Sequence, residues 1–234
     1  MGRFYCRRVR AAATAIGSTR RSIGRPVQLR LMDVPGILVT AAVLGFWIGI
    51  GAMIVRVRRH THRAVGVVPE QRLERFLWVA WVPLGFAWVA LPWLALTRSG
   101  PPFGLPEFAR TLPWYGALRW VAALVAVASL VAIAKCWSRM GKDWRMAVTA
   151  EPDQALIMDG LFSRMRHPIY AFSMLLVAAS AVAVPTPLMM LCGAGLVVLW
   201  VVKALNEERH MLRTHGEAYA RYLARTGRFF PRLH

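Results

Sequence analysis

The chain has 234 residues, 57% of them hydrophobic, and a mean hydropathy of +0.43, more apolar sequence than a soluble core requires, so one polytopic membrane domain is the natural reading. Its 30 Lys and Arg against 11 Asp and Glu give a net charge of +19, yet the arginines fall in a tail and in loops between apolar runs. There they meet anionic lipid headgroups, and the absence of a recognition helix or an RNA-binding aromatic motif argues against nucleic acid as a partner. Cys6, Cys136 and Cys192 form no CxxC and no even set, so neither a disulfide framework nor a metal site is expected.

Residues 1–32 carry eight arginines and read as a basic arm, separate from a single membrane domain over 33–234. No apolar region of signal length precedes Val34, so a cleaved leader is not expected. Residues 34–55 are uncharged and long enough for a first span, with Gly45 and Gly49 at the spacing that lets helices approach closely. Residues 56–75 form a basic loop in which His60 and His62 read as solvated. A second span over 76–96 contains Pro83 and Pro92 as kinks. Its Trp81 and Trp88 either line a groove for a lipid tail or pack against neighbouring helices.

Residues 98–113 are a Pro/Gly-rich loop with few charges, as on a non-cytoplasmic side. The third span, 112–134, has Arg119 near its outer end, where it is expected to snorkel to the interface. Residues 135–166 form a loop rich in Lys and Arg, hence cytoplasmic, and include Gly141-Lys142-Asp143-Trp144-Arg145. After it the chain is uncharged from Pro168 to Val202, which as one helix would be roughly 51 Å, far beyond a hydrocarbon core of about 30 Å. Pro185-Thr186-Pro187 breaks it at the midpoint into a hairpin of two helices of about 16 residues each. Beyond Lys203 the sequence turns amphipathic, as a helix leaving the membrane along the headgroups, and His210 and His215 read as solvated. The expected fold is all-α and polytopic, with about five transmembrane helices, a C-terminal helical hairpin and a cytoplasmic C-terminal helix. An odd number of spans puts the basic N-terminus outside, against the positive-inside rule, so either the first segment does not fully cross or the arm crosses despite its charge.

The most specific stretch is 156–170, LIMDGLFSRMRHPIY, in which Pro168 suits the first position of the apolar helix that follows. The hairpin returns Glu207 and Glu208 to the membrane face that carries His167. With Leu156-Ile157 and Gly160, Arg166 to Tyr170, Glu207-Glu208, then Gly216 to Tyr219 with Tyr222 and Pro231, residues 138–233 resemble the isoprenylcysteine carboxyl methyltransferase family, whose relatives include phospholipid N-methyltransferases. Departures at Leu161, Phe162 and Phe172 fall near the substrate pocket. The resemblance implies an S-adenosylmethionine-dependent methyltransferase whose catalytic half is about 135–234. It would act on a lipophilic acceptor at the cytoplasmic face of a bacterial inner membrane, with a carboxylate as the suggested O-methylation target.

By the same resemblance Leu156, Ile157, Gly160, Phe162, His167, Pro168, Ile169, Tyr170, Glu207 and Glu208 contact the cofactor. His167 and Tyr170 are the catalytic pair, and Arg166 and Lys203 face the substrate. A carboxylate can make charge-assisted hydrogen bonds to a ribose or an ammonium, the backbone around Gly160 can meet the amino-acid end, and an electron-rich ring suits a sulfonium. Lys203 reads equally as a snorkelling interfacial lysine. Two further functions remain open: an NADPH-dependent membrane reductase of the related sterol-reductase type, and a non-enzymatic lipid- or small-molecule-binding protein. The paired glutamates favour the methyl donor. Oligomeric state is not legible.

Overall fold

In hydrocarbon every backbone N–H and C=O must find its partner within the protein, and apolar runs of this length do so as helices. The computed structural model describes residues 33–61, 71–146 and 156–232, which lie in one unit, Met32–His234. The basic arm, His62 and residues 147–155 lie outside the described residues. The helices are α1 (Val34–Thr61), α2 (Arg72–Thr97), a short α3 (Phe108–Thr111), α4 (Pro113–Met140), α5 (Pro168–Ala183) and α6 (Pro187–Arg225), and the described residues include no strand. Four of these, α1, α2, α4 and α6, are long and apolar enough to cross a membrane, and α5 is a shorter apolar helix. The protein is therefore an all-helical, polytopic membrane protein, with a fifth apolar segment of 16 residues, about 24 Å, just short of a full span.

The loops are shorter than the sequence suggests. Lys135 to Met140 continue α4, Arg56 to Thr61 continue α1, and α2 already begins at Arg72. Charges at helix ends do not stop a helix. They carry it out of the hydrocarbon, and at a C-terminus such as Arg58, Arg59 and His60 they also complement the helix dipole.

Packing follows the small residues. A Cβ on Gly49 would lie 2.2 Å from the Trp137 ring and one on Gly45 2.9 Å from Leu130, so the glycine pair seats α4 against α1. Trp88 is fully buried, tilts against Phe46 and meets Trp200 edge-on, while its Nε1 donates to Ser180 Oγ at 3.3 Å. Its role is thus in the core.

The hairpin has a distinctive turn. Pro187 starts α6, Thr186 caps it by accepting from Met189 N at 3.2 Å, and the helix runs 39 residues before ending. Because Pro187 has no N–H, the Ala183 carbonyl has no donor four residues on; Thr186 N instead donates to Val184 O at 2.8 Å, which leaves Val182 O open as well. Both carbonyls are satisfied from α4: Tyr115 OH donates to Val182 O at 3.0 Å and Arg119 Nε to Ala183 O at 2.8 Å. The Arg119 Nη2 also meets Asp33 Oδ2 at 2.6 Å. Arg119 therefore does not snorkel to the interface. It is buried and clamps α4 to the start of α1 and the end of α5, because two anionic or carbonyl partners lie closer than the headgroups.

Arg119→Met should destabilise the protein by about 3–5 kcal/mol, since it leaves the Asp33 carboxylate without its counter-charge and the Ala183 carbonyl without a donor. Thermal unfolding in detergent checks this, with Asp33→Asn in the same chain expected to recover part of the loss; an unchanged midpoint for the single variant would contradict the clamp.

Candidate active site

The return of α6 sets Glu207 beside the first turn of α5. Tyr170 OH donates to Glu207 Oε1 at 2.6 Å, and the Tyr170 ring stacks on His167 with centroids 5.5 Å apart and planes 7° from parallel. His167 Nδ1 faces Glu207 Oε2 at 3.6 Å and Nε2 faces Glu208 Oε1 at 3.4 Å, and Nε2 is buried with no hydrogen-bond partner. The structure thus brings together the loop motif and the two glutamates, residues about 40 positions apart in the chain.

The glutamates nevertheless face different ways. Neighbours on a helix are rotated by about 100° from each other, so one of a pair must turn aside. Glu207 lines the cavity. Glu208 is buried behind it, with Arg166 Nε at 2.8 Å and Arg228 Nη2 at 2.7 Å. Arg166 Nη1 further donates to the Thr226 carbonyl. The Glu208 carboxylate beside Arg228 raises that guanidinium above its ordinary pKa.

Arg228 sits on the C-terminal tail, which runs beside the motif loop. Arg166 N donates to Gly227 O at 2.9 Å, His167 N to Arg228 O at 3.0 Å, and Gly227 N to Arg164 O at 3.2 Å. Phe229 lies 6.1 Å from the His167 ring. Two glycines make the turns that allow this. Gly216 (φ 50°) kinks α6 so that Tyr219 and Tyr222 fold in, and Tyr222 OH donates to Phe162 O at 2.5 Å. Gly160 (φ 58°) has open space where a Cβ would stand, so what calls for a glycine there is its left-handed backbone. Just before it Asp159 accepts from Arg139 Nε at 2.9 Å, a bond that holds the Asp159 carboxyl below its ordinary pKa.

Leu156, Ile157, Phe162, Arg166, His167, Pro168, Ile169, Tyr170, Lys203 and Glu207 all line one cavity, while Gly160 and Glu208 do not border it. Beyond this polar end the wall turns apolar: Phe46, Trp78, Trp81, Trp137 and Trp200. Trp81 lines the cavity and packs against Trp47 and Trp78, whereas Trp88 packs in the core. His210 also borders the cavity, against its expected solvation.

One wall residue was not singled out from the sequence. Glu74, in the first turn of α2, is fully buried and borders the cavity. Lys203 Nζ lies between Glu74 Oε1 at 3.5 Å and Glu207 Oε1 at 3.4 Å. Asn206 Nδ2 donates to Gln71 Oε1 at 2.9 Å and to Glu74 Oε1 at 3.3 Å. The available signal was an acid flanked by Arg72 and Arg75 where the chain enters the membrane, since an ionisable residue there is a site candidate by default. Arg228, also missed, had only the tail's position to mark it.

The buried carboxylate cluster thus borders an aromatic-walled cavity within a bundle of membrane-length helices. Residues 118–218 match the family model described as phospholipid methyltransferase, and this supports a membrane methyltransferase. The matched stretch contains Arg166, His167, Tyr170, Lys203, Glu207 and Glu208; Glu74 and Arg228 fall outside it. No curated protein matches the chain.

Glu208→Gln should cost about 3–5 kcal/mol of stability, because two guanidinium groups lose their buried counter-charge, whereas Glu207→Gln should cost far less. Comparing the two thermal midpoints in one detergent tests the division, and equal losses would refute it.

Proposed function

We propose that this protein is an S-adenosylmethionine-dependent methyltransferase of the isoprenylcysteine carboxyl methyltransferase-like kind, acting on a lipophilic acceptor at the cytoplasmic face of a bacterial inner membrane. The observation that carries this reading is the Tyr170–Glu207 hydrogen bond of 2.6 Å at the polar end of an aromatic-walled cavity. The residues fit the cofactor. Glu207 offers a carboxylate held in place by a phenol, and the His167 ring stacks on that phenol at the cavity wall.

S-adenosylmethionine, when bound, supplies a methyl group on a sulfonium for in-line displacement at carbon. The task left to the chain is to position the reactants and exclude water. Glu207 would hold the ribose hydroxyls or the ammonium, Tyr170 fixes that carboxylate, and the backbone of 156–160 would meet the amino-acid end. Ile169 and Phe162 close the site against water. The apolar end, with Trp78, Trp81 and Trp200, suits the hydrophobic part of an acceptor that arrives from the bilayer. An acceptor carboxylate is ionised at pH 7 and needs no base, while an amine would hand its proton to the His167 imidazole at the cavity wall. Arg166 and Glu208 support the site through each other rather than by meeting acceptor or cofactor.

Glu207→Gln should weaken binding of S-adenosylhomocysteine by roughly 10- to 150-fold, the worth of a charge-assisted hydrogen bond. Calorimetry on the purified protein in detergent measures this, and wild-type protein that takes up neither S-adenosylmethionine nor S-adenosylhomocysteine would end the proposal. Lipid extract incubated with the protein and methyl-labelled cofactor should yield a labelled apolar species. Label released by mild base identifies an ester, and stable label identifies N- or C-methylation.

A further inference from the structure

Glu74 is a fully buried carboxylate inside the helix bundle, and it comes from α2, outside the stretch that matches the methyltransferase family. Removing a carboxylate completely from water is unfavourable unless a counter-charge and hydrogen bonds compensate. Lys203 and Asn206 supply both, from α6. The consequence lies one step further along. Lys203 Nζ stands almost midway between Glu74 Oε1 and Glu207 Oε1, at 3.5 and 3.4 Å, so one cation is shared by two carboxylates. Lys203 precedes Glu207 by one helical turn, a spacing at which the two would pair fully if nothing else drew the lysine away.

We infer that Glu74 is a positioning residue of the donor site: by drawing Lys203 toward α2, it leaves Glu207 with uncompensated negative charge facing the cavity. This rests on the reading of Glu207 as the residue that holds the methyl donor. Two carboxylates share this lysine, so Glu207 faces the cavity with its charge only partly balanced by Lys203, in a region of low dielectric where a cationic ligand group is bound strongly. Neutralise Glu74, and Lys203 balances Glu207 alone. The same geometry also speaks against Lys203 as the holder of an anionic acceptor, because such a group would enter between two carboxylates.

The experiment compares S-adenosylhomocysteine binding by calorimetry in wild type, Glu74→Gln and the double variant Glu74→Gln/Lys203→Met, with thermal midpoints alongside. Glu74→Gln should weaken binding by about tenfold, in the range of measured couplings between contacting charged residues. Removing Lys203 as well should bring affinity back to within about threefold of wild type, since Glu207 is again uncompensated. A role confined to joining α2 to α6 predicts the opposite, a double variant no better than the single one. That result, or unchanged affinity in Glu74→Gln, overturns the inference. Should Glu74→Gln fail to fold, the double variant decides by itself: near-wild-type affinity upholds the role, and a loss of about tenfold or more rejects it. Wild-type protein that binds no S-adenosylhomocysteine strikes the donor-site reading itself, a different outcome from any of these.

Discussion

Two carbonyl oxygens set the terms for the rest of the molecule. Val182 and Ala183 end a helix of 16 residues, about 24 Å long, at the point where the chain turns back. An unpaired carbonyl in hydrocarbon costs several kcal/mol, enough by itself to forbid the turn. Tyr115 and Arg119 remove that cost from the neighbouring helix, and Asp33 balances the arginine's charge. Once the turn is permitted, α6 must travel back alongside α5. Its Glu207 then arrives at the level of Tyr170, and the polar cluster assembles.

At that level the charges are arranged in depth. Glu208, paired with two arginines, forms a buried base that joins α5, α6 and the C-terminal tail. Glu207 stands in front of it, with a tyrosine, a histidine and a shared lysine as neighbours. The rigid pair behind and the incompletely balanced carboxylate in front are consequences of one helical geometry, since adjacent residues on α6 cannot point to the same place.

The apolar runs, their lengths and the Pro185-Thr186-Pro187 break made the helices and the hairpin legible in the sequence, because these depend on local chemistry. The meeting of His167 with Glu207 followed from the hairpin's lengths alone. What escaped were the long-range pairings. Sequence gives the distance from Arg119 to the end of its helix but not that Ala183 needs a donor beside it, so snorkelling was the natural expectation. Glu74 and Lys203 are 129 positions apart, and nothing local in either says that one lysine will serve two acids. Glu207 and Glu208 read as an equivalent pair in one dimension and separate only when the helix is wound. The basic arm, whose side of the membrane was left open, lies outside the described residues.

The half-length of α5 also bears on how the protein is built. A segment of 16 residues with two carbonyls exposed at its far end is a poor candidate to enter a bilayer by itself, and α6 cannot begin until the turn is made. The pair therefore enters as one hairpin unit. It needs a receptor already in the membrane, and synthesis from the N-terminus provides it: Asp33, Tyr115 and Arg119 all emerge before Val182 and Ala183 do. The order of residues along the chain is thus also an order of assembly, in which each helix finds in place the partner that its polar atoms require.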